Sequence, residues 1–424
     1  MNVLLIGSGG REHALALKIK ESKRLRKLYI VPGNPGTKTL GENLNINISD
    51  QTKILEFCKQ YEIDLVVIGP EQPLVDGLAN LLRNNNINVF GPNKEAALIE
   101  SSKAFAKKVM KEAGVPTGKY IPFTSSMLEP AKDYIKNKKY PCVIKADGLA
   151  AGKGVFVCNN PNEAENALSM IFNDKIFGES GEKVLVEEFL AGDEVSVFAI
   201  CDGDDFVCLP ASQDHKRIGD NDTGKNTGGM GAYAPAPILT PELSGEIETK
   251  ILKPVIQTLK KRSSSFIGCL YAGLIITDEG PKVIEFNCRF GDPETQVVLP
   301  LLNGDFLQLL YSAATGKIDT DAIHYNGGSS VCVVAASQGY PDKYEKGFEI
   351  IGLDLIPEDV IVYHAGTSEI DNKIITNGGR VLGVTSVLPD FNLTLAKDLA
   401  YSAMEKIHFK NMYYRRDISD KAFK

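Results

Sequence analysis

The sequence has no tryptophan and only five histidines, and none of its eight cysteines, at 58, 142, 158, 201, 208, 269, 288 and 332, belongs to a CxxC pair. Such spacing offers neither a zinc site nor a disulfide framework, and it fits a reducing cytoplasm. Long apolar runs are missing as well. No stretch approaches the ~18 residues that a membrane span needs, and the first apolar segment, Val3 to Ile6, is too short for a signal-peptide core and runs into glycines and Arg11. The expectation is a soluble, unexported chain with no membrane partner. An excess of positive charge is also lacking: Lys and Arg number 47 against 54 Asp and Glu, for a net charge of −7. That balance argues against nonspecific binding to nucleic acid or anionic membranes, although a local basic pocket remains compatible with it.

What is present is an ordinary globular composition of 424 residues with 43% apolar residues and 39 glycines. At about 150 residues per domain, the length suits roughly three domains. The opening reads strand, glycine turn, helix: Val3 to Ile6, Gly7-Ser8-Gly9-Gly10, then Arg11 to Lys20. Further apolar runs at Leu28 to Val31, Leu65 to Ile68 and Ile87 to Phe90 alternate with helix-like segments near 52–61 and 77–84, the pattern of a doubly wound parallel α/β sheet. Each run ends in a glycine or proline turn, such as Gly69-Pro70-Glu71, and open parallel sheets bind ligands at those ends. A charged helix is predicted over 94–113, stopped by Gly114-Val115-Pro116. After it come a β-rich, lid-like module over about 120–190, a helix near 244–261, and a small α+β module with the strand Ser330 to Ala336 and the helix Leu393 to Ile407. No internal repeat or low-complexity linker stands out.

Four motifs carry the chemistry. The turn Gly7 to Gly10 opens a helix, so its backbone N–H groups and dipole suit a phosphate. A dinucleotide fingerprint is weakened because Glu12 replaces the third glycine and Pro32 follows the second strand where an acidic residue is needed. Next, Lys145 lies in the apolar strand Val143 to Ala146 ahead of the glycine hairpin Asp147 to Gly154. The loop departs from a Walker A sequence, because Gly154 follows Lys153 and a strand continues. It is closer to the strand lysine and glycine flap that cover nucleotide phosphates in kinases. The run Val184 to Glu194 ends a strand in Glu187-Glu188-Phe189-Leu190, where backbone groups suit adenine and Glu194 suits ribose hydroxyls. Last, Val283 to Glu294 reads as an alternating strand that sends Glu285, Asn287 and Arg289 to one face. A carboxylate and a carboxamide two residues apart suit Mg²⁺, which takes oxygen ligands and shares them with phosphates, while Arg289 suits developing negative charge. Between these motifs, Ser212 to Arg217 leads into a structureless stretch, Gly219 to Gly231, of the kind that forms binding loops. Asp214, His215 and Arg217 offer polar contacts there. His13 and His364 read as structural, and no Ser/His/Asp set is present.

Taken together, GSGGREHALA, KADGLAAGKGV, EEFLAGDE, SQDHKR, NTGGMGAY and IEFNCRFGDPETQ resemble, in order and spacing, the phosphoribosylamine-glycine ligase family of the ATP-grasp superfamily, over nearly the whole chain. The resemblance implies a preATP-grasp domain over 1–102, an ATP-grasp domain over 103–325 with its lid at about 120–190, and a C-terminal α+β domain over 326–424. It implies ATP-dependent joining of glycine to 5-phosphoribosylamine through glycyl phosphate, with ADP and phosphate released, in purine biosynthesis. By the same likeness Lys103 and Lys145 contact ATP phosphates, and Glu187, Glu188, Phe189 and Leu190 frame adenine. Glu194 then holds ribose, and Glu285 and Asn287 bind Mg²⁺ or Mn²⁺. Gly9 and Gly10 hold the ribose phosphate, while Asp214 and Arg289 serve glycine, with Lys145 and Arg289 neutralising the transferred phosphoryl group. Where many ATP-grasp enzymes carry a further metal-binding carboxylate, about a dozen residues before Glu285, this chain has Gly273 and Leu274. A cytoplasmic monomer with no nucleic-acid partner is expected.

Overall fold

A computed structural model describes residues 1–150 and 154–423. Lys153 and its neighbours at 151 and 152, part of the glycine hairpin singled out above, lie outside the described residues.

The amino-terminal strands Asn2–Gly7, Lys27–Pro32, Glu42–Asn43, Leu65–Ile68 and Val89–Phe90 form a parallel sheet in the order third, second, first, fourth, fifth. The doubly wound reading therefore holds. Leu4, Leu5, Val66 and Val67 are fully buried, as expected of strands covered on both faces. The order reverses beside the first strand, and there the helix Gly10–Lys20 begins.

The predicted helix over 94–113 is two helices, Lys94–Ser101 and Lys103–Ala113, because Ser102 leaves the helical region (φ −135°, ψ 107°) and its hydroxyl caps the N–H of Phe105. Asp147 reinforces the break, since Oδ1 accepts from the N–H of Ala104 at 2.6 Å and its carbonyl accepts from the N–H of Lys103 at 3.1 Å. An N-cap serine and a carboxylate at a helix start outweigh the helical periodicity that runs through the position. The second helix stops at Gly114, which takes a left-handed φ of 68°.

Strands Tyr120–Thr124, Lys183–Glu188, Cys142–Ala146 and Val155–Cys158 form a four-stranded sheet in that spatial order, with Lys145 opposite Val155 at the mouth of the glycine hairpin. A second four-stranded sheet contains Asp193–Asp202, Ile267–Thr277 and Gly280–Asn287. In the last of these strands the expected alternation is interrupted. Gly273 pairs with Glu285 but Leu274 pairs with Val283, so Ile284 is an extra residue and forms a bulge. Below the bulge, Phe286 and Val283 share a buried cluster with Val255, Ile256 and Leu259 of the helix Lys253–Lys261, while Glu285 and Asn287 are left facing outward from it.

The segment 219–231, expected to lack structure, contains a hairpin, Arg217–Gly219 with Thr223–Asn226, and ends at the strand Gly231–Ala234. That strand pairs with Gln213–Asp214 on one side and with Ser329–Ser337 on the other. The carboxyl-terminal sheet thus includes strands from both sides of residue 300. Gly-rich and polar residues carry little strand propensity, so the pairing here is dictated by the distant partner rather than by local preference.

The amino- and carboxyl-terminal regions meet at His13, whose Nδ1 accepts from the backbone N–H of His364 at 2.8 Å, while the Asn34 amide donates to the carbonyls of Ser8 and His364, each at 2.8 Å. Both histidines are structural, as expected. Burial, and then the neighbouring His364, hold the His13 imidazole down at about 3. The unfolded chain binds the proton near pH 6.5 and the folded chain resists it, so stability is full above that pH and is lost as pH falls. Between pH 7 and pH 5 His13 should cost about 2 kcal/mol. We expect His13→Asn, whose side-chain oxygen can still accept from His364, to unfold with a shallower dependence of Tm on pH over that range; an unchanged slope would contradict the linkage.

Candidate active site

A cleft of ≈ 730 Å³ runs between the lid sheet and the strand Gly280–Asn287. It is lined by Lys103, Lys145, Glu187, Glu188, Phe189, Leu190, Glu194, Asp214, Glu285, Asn287 and Arg289, so eleven of the thirteen residues to which the resemblance gives a role come together, and Arg217 joins them. Gly9 and Gly10 do not line it. They stand behind it, against Asp292 and Gln296: a side chain at Gly10 would come within 2.6 Å of Gln296 Nε2. The N–H of Gly9 is already taken by the Glu12 carboxylate at 2.6 Å, which is also why glycine is needed at Gly69, where a Cβ would fall 2.2 Å from Glu12 Oε1.

The lid end is organised by Glu187, only 4% exposed, whose Oε2 lies 3.0 Å from Lys107 Nζ and 3.1 Å from Lys145 Nζ. Lys145 also donates to the carbonyl of Ile284 at 3.2 Å, the residue that bulges out of the facing strand. Lys103 donates to the Gly148 carbonyl at 3.2 Å. Burial lowers the affinity of Lys103 and Lys107 for their protons, with Glu285 and Glu187 respectively opposing it. Among the described residues, the second oxygen of Glu187, Oε1, is buried without a hydrogen-bond partner. Val143, Val155, Val157 and Ile275 supply an apolar lining on this side.

Across the cleft, burial pulls the Glu285 carboxyl upward, but Lys216, Lys145, Lys103 and Arg289 outweigh it and hold the group below the usual carboxylate range. It is therefore an ionised acceptor. Gly273, directly opposite in the sheet, leaves it room: a Cβ there would sit 3.2 Å from Glu285 Cγ. Asn287 lies on the same side of the strand, its Oδ1 3.4 Å from Arg289 Nη2. A hard cation takes two such oxygens and completes its shell with water and phosphate. The donor set fits Mg²⁺ or Mn²⁺, although among the described residues no group of three or more His, Cys, Asp or Glu side chains could hold a metal.

Arg289 is more heavily engaged than its place in the motif suggests. It donates from Nη2 to Glu100 at 2.9 Å and to Asn287, from Nε to Glu71 at 3.3 Å, and from Nη1 to the Phe290 carbonyl at 3.2 Å. With five N–H groups on a guanidinium, one on Nη1 is left over. Burial favours the neutral form of Glu71, yet Arg289 and Arg11 bring its carboxyl down to about 2. Asp214 is the reverse case. Burial, with Glu294 and Glu194 nearby, pushes its carboxyl up to about 7 against the pull of Lys216.

The reading of the sequence missed Lys107, Lys216, Glu71, Glu100 and Arg380. Lys216 sits 2.5 Å from Glu194 and inside the quoted SQDHKR run, and Glu71 stands in a turn already marked as a strand's ligand-binding end. Lys107 and Glu100 lie on charged helices where nothing separates them from solvated neighbours. Arg380 reaches the carbonyls of Gly228 and Asp292, at 2.5 and 2.6 Å, from far along the chain.

Three domains of phosphoribosylglycinamide synthetase match in order: the N domain over residues 1–100, the ATP-grasp domain over 101–295 and the C domain over 330–421. The chain belongs to this family. It is 46% identical over 419 residues to the phosphoribosylamine–glycine ligase of Caldanaerobacter subterraneus subsp. tengcongensis, covering 99% of each chain. It matches a bifunctional purine biosynthetic protein of Pichia angusta at 46% identity, where all of this chain aligns to 54% of that one. Among solved structures, the phosphoribosylamine–glycine ligase of Thermotoga maritima superposes with a TM-score of 0.85 at 34% identity, covering 99% of this chain and all of the other. The biotin carboxylase domain of Hydrogenobacter thermophilus 2-oxoglutarate carboxylase, at 18% identity and TM-score 0.73, covers 97% of this chain and 91% of its own and shares the ATP-grasp fold. Synthetase-family membership accounts for a cleft built between a lid and a polar strand, and this family uses ATP with a divalent metal. No helix among the described residues is long and apolar enough to cross a membrane.

Removing one member of a buried ion cluster leaves the others without compensation. Glu187→Ala should therefore destabilise the ligand-free protein by about 3 kcal/mol or more, read as a lower urea midpoint. A midpoint matching that of the parent would show that Lys107 and Lys145 do not depend on this carboxylate.

Proposed function

We propose that the chain joins glycine to 5-phosphoribosylamine at the expense of ATP, giving glycinamide ribonucleotide, ADP and phosphate, with glycyl phosphate as the intermediate. The observation that carries this is the opposition of Lys103 and Lys145 to Glu285 and Asn287 across a single cleft. The parts played by 1–102, 103–325 and 326–424 are then those of a preATP-grasp, an ATP-grasp and a C-terminal α+β domain.

The orphaned Glu187 Oε1 is an acceptor waiting for a donor, and the amino group of adenine supplies one. Glu188, Phe189 and Leu190 follow it along the same wall and frame the ring, with Glu194 beyond them for ribose. An ammonium has three donors, and Lys145 spends two of them on Glu187 and Ile284. Among the described residues, the third, with the donors that Lys103 does not spend on Gly148, is free for phosphate oxygens. Glu285 and Asn287 hold Mg²⁺, with Mn²⁺ as an alternative; when bound, the cation neutralises charge on the phosphates.

Glycine carboxylate is a poor acyl donor because oxide is a bad leaving group. Its oxygen attacks the γ-phosphorus, the bond to ADP breaks, and the resulting acyl phosphate loses phosphate readily when the amine of phosphoribosylamine attacks. Positioning and charge neutralisation are most of what phosphoryl transfer needs. Lys145 and the spare N–H of Arg289 supply them, and a closed lid keeps water from the acyl phosphate. Asp214 receives the glycine ammonium, and the ribose phosphate lies at the end of the cleft next to the first helix, where Gly9 and Gly10 stand behind Asp292 in the wall. The protein acts as a cytoplasmic monomer without nucleic acid.

ADP release should require glycine, phosphoribosylamine and the divalent cation together, and each omission should abolish it; release without glycine would sink the assignment. Glu285→Ala or Lys145→Ala should lower kcat about 10²–10³-fold in a protein with a normal circular dichroism spectrum. If Asp214 must be ionised to receive an ammonium, kcat/KM for glycine should rise with pH through about 7, and Asp214→Asn should be low and flat across the same range. A rising limb that persists in that variant belongs to another group.

A further inference from the structure

One wall of the cleft is held in place from far along the sequence. Among the described residues the hairpin Arg217–Gly219 with Thr223–Asn226 pairs with no other strand, and its turn places Asn221 and Asp222 at left-handed φ values of 56° and 53°. An isolated two-stranded hairpin is marginal in water. Here the missing support comes from the carboxyl-terminal segment 413–421. Arg415 is fully buried and donates from Nη1 to the Arg217 carbonyl at 3.0 Å and to Asp222 Oδ1 at 2.9 Å. Its Nε and Nη2 grip Asp417 at 2.7 and 2.6 Å, and Asp417 in turn accepts the N–H of Asn221 at 2.8 Å. The N–H of Arg416 reaches Asp220 at 2.9 Å, and the Tyr413 hydroxyl donates to the Ile218 carbonyl at 2.8 Å. Lys421 pairs with Asp222 at 2.9 Å.

The hairpin side and the tail both open on the cleft, through Arg217, Asp222, Asn226 and Lys421. Beyond Asn226 the chain passes to Gly228, whose carbonyl Arg380 ties to Asp292, and Asp292 abuts Gly9 and Gly10. Among the described residues, no hydrogen bond or ion pair of 413–421 reaches the lid. The tail therefore shapes the end of the cleft next to the first helix and leaves the nucleotide end alone.

We propose that Arg415 is a positioning residue for the phosphoribosylamine end of the cleft. Through Asp222 and Asp417 it fixes the hairpin so that Arg217 presents its positive charge to a phosphorylated acceptor, with Lys421 held beside it by Asp222. The proposal rests on the ligase reading above.

The test is steady-state kinetics of Asp222→Asn, Tyr413→Phe, Arg415→Lys and Arg415→Ala, with phosphoribosylamine generated in situ from ribose 5-phosphate and ammonia. Loss of a charged hydrogen bond should raise KM for phosphoribosylamine about tenfold in Asp222→Asn, with KM for ATP within about twofold. Arg415→Lys keeps the cation and should recover part of what Arg415→Ala loses. Should Arg415→Ala fail to fold, the two milder substitutions, Asp222→Asn on the hairpin and Tyr413→Phe on the tail, decide the matter. A KM for ATP that rises in parallel, or unchanged KM values in folded Asp222→Asn, would overturn the positioning role while leaving the ligase reading intact. A parent protein without glycine-dependent ADP release would overturn that reading and this proposal with it.

Discussion

The interaction on which the rest of the site depends is the sharing of one buried carboxylate, Glu187, by two buried ammonium groups, Lys107 and Lys145. Two like charges cannot be brought together in a low-dielectric interior without a counter-charge between them. The arrangement draws three separate elements to one point: the helix Lys103–Ala113 and the two inner lid strands, Cys142–Ala146 and Lys183–Glu188. Lys145 then reaches across to the Ile284 carbonyl, which the bulge has released from the ladder. The lid is thus tied to the strand that bears Glu285 by a hydrogen bond in addition to packing. Electrostatics follow from the same geometry, because Lys145, one of the two lysines that Glu187 gathers, is among the groups that keep Glu285 ionised.

A second balance operates on the opposite wall, where Glu71 and Glu100, from the amino-terminal region, hold Arg289. Four of the five guanidinium N–H groups are committed before any ligand arrives. Such an arginine has little orientational freedom left to lose on binding, which is how a preorganised site lowers the cost of reaching the transition state. It also explains why the helices Glu71–Val75 and Lys94–Ser101 lie by the end of the strand Gly280–Asn287: the arginine's partners come from the helices, and its backbone follows that strand.

Much of this was legible in the sequence, and the reasons differ by residue. Lys145, Glu285 and Asn287 announce themselves because a polar side chain inside an apolar strand needs an explanation. The parallel sheet is carried by period and by its glycine turns. Lys107 and Glu100 carry no such signal, since a charged residue on an amphipathic helix is ordinarily solvated, and only the tertiary fold reveals that these two are buried. The break at Ser102 was hidden by helical periodicity on both sides of it, and its decisive partner, Asp147, lies 45 residues away. The hairpin over 217–226 was invisible for a similar reason, because its supports lie close to 200 residues further on. The bulge at Ile284 leaves no mark in composition at all.

The shared sheet of Gln213–Asp214, Gly231–Ala234 and Ser329–Ser337 bears on how this architecture can be recombined. A family boundary drawn along the chain separates stretches that are covalently distinct but structurally one layer. A chimera that exchanges only the last hundred residues between two relatives asks a foreign strand to pair along the edge at Tyr233, whereas one that carries 213–234 along with them keeps the layer intact. The unit of inheritance in this part of the molecule is therefore discontinuous, a patch of fabric woven from two threads.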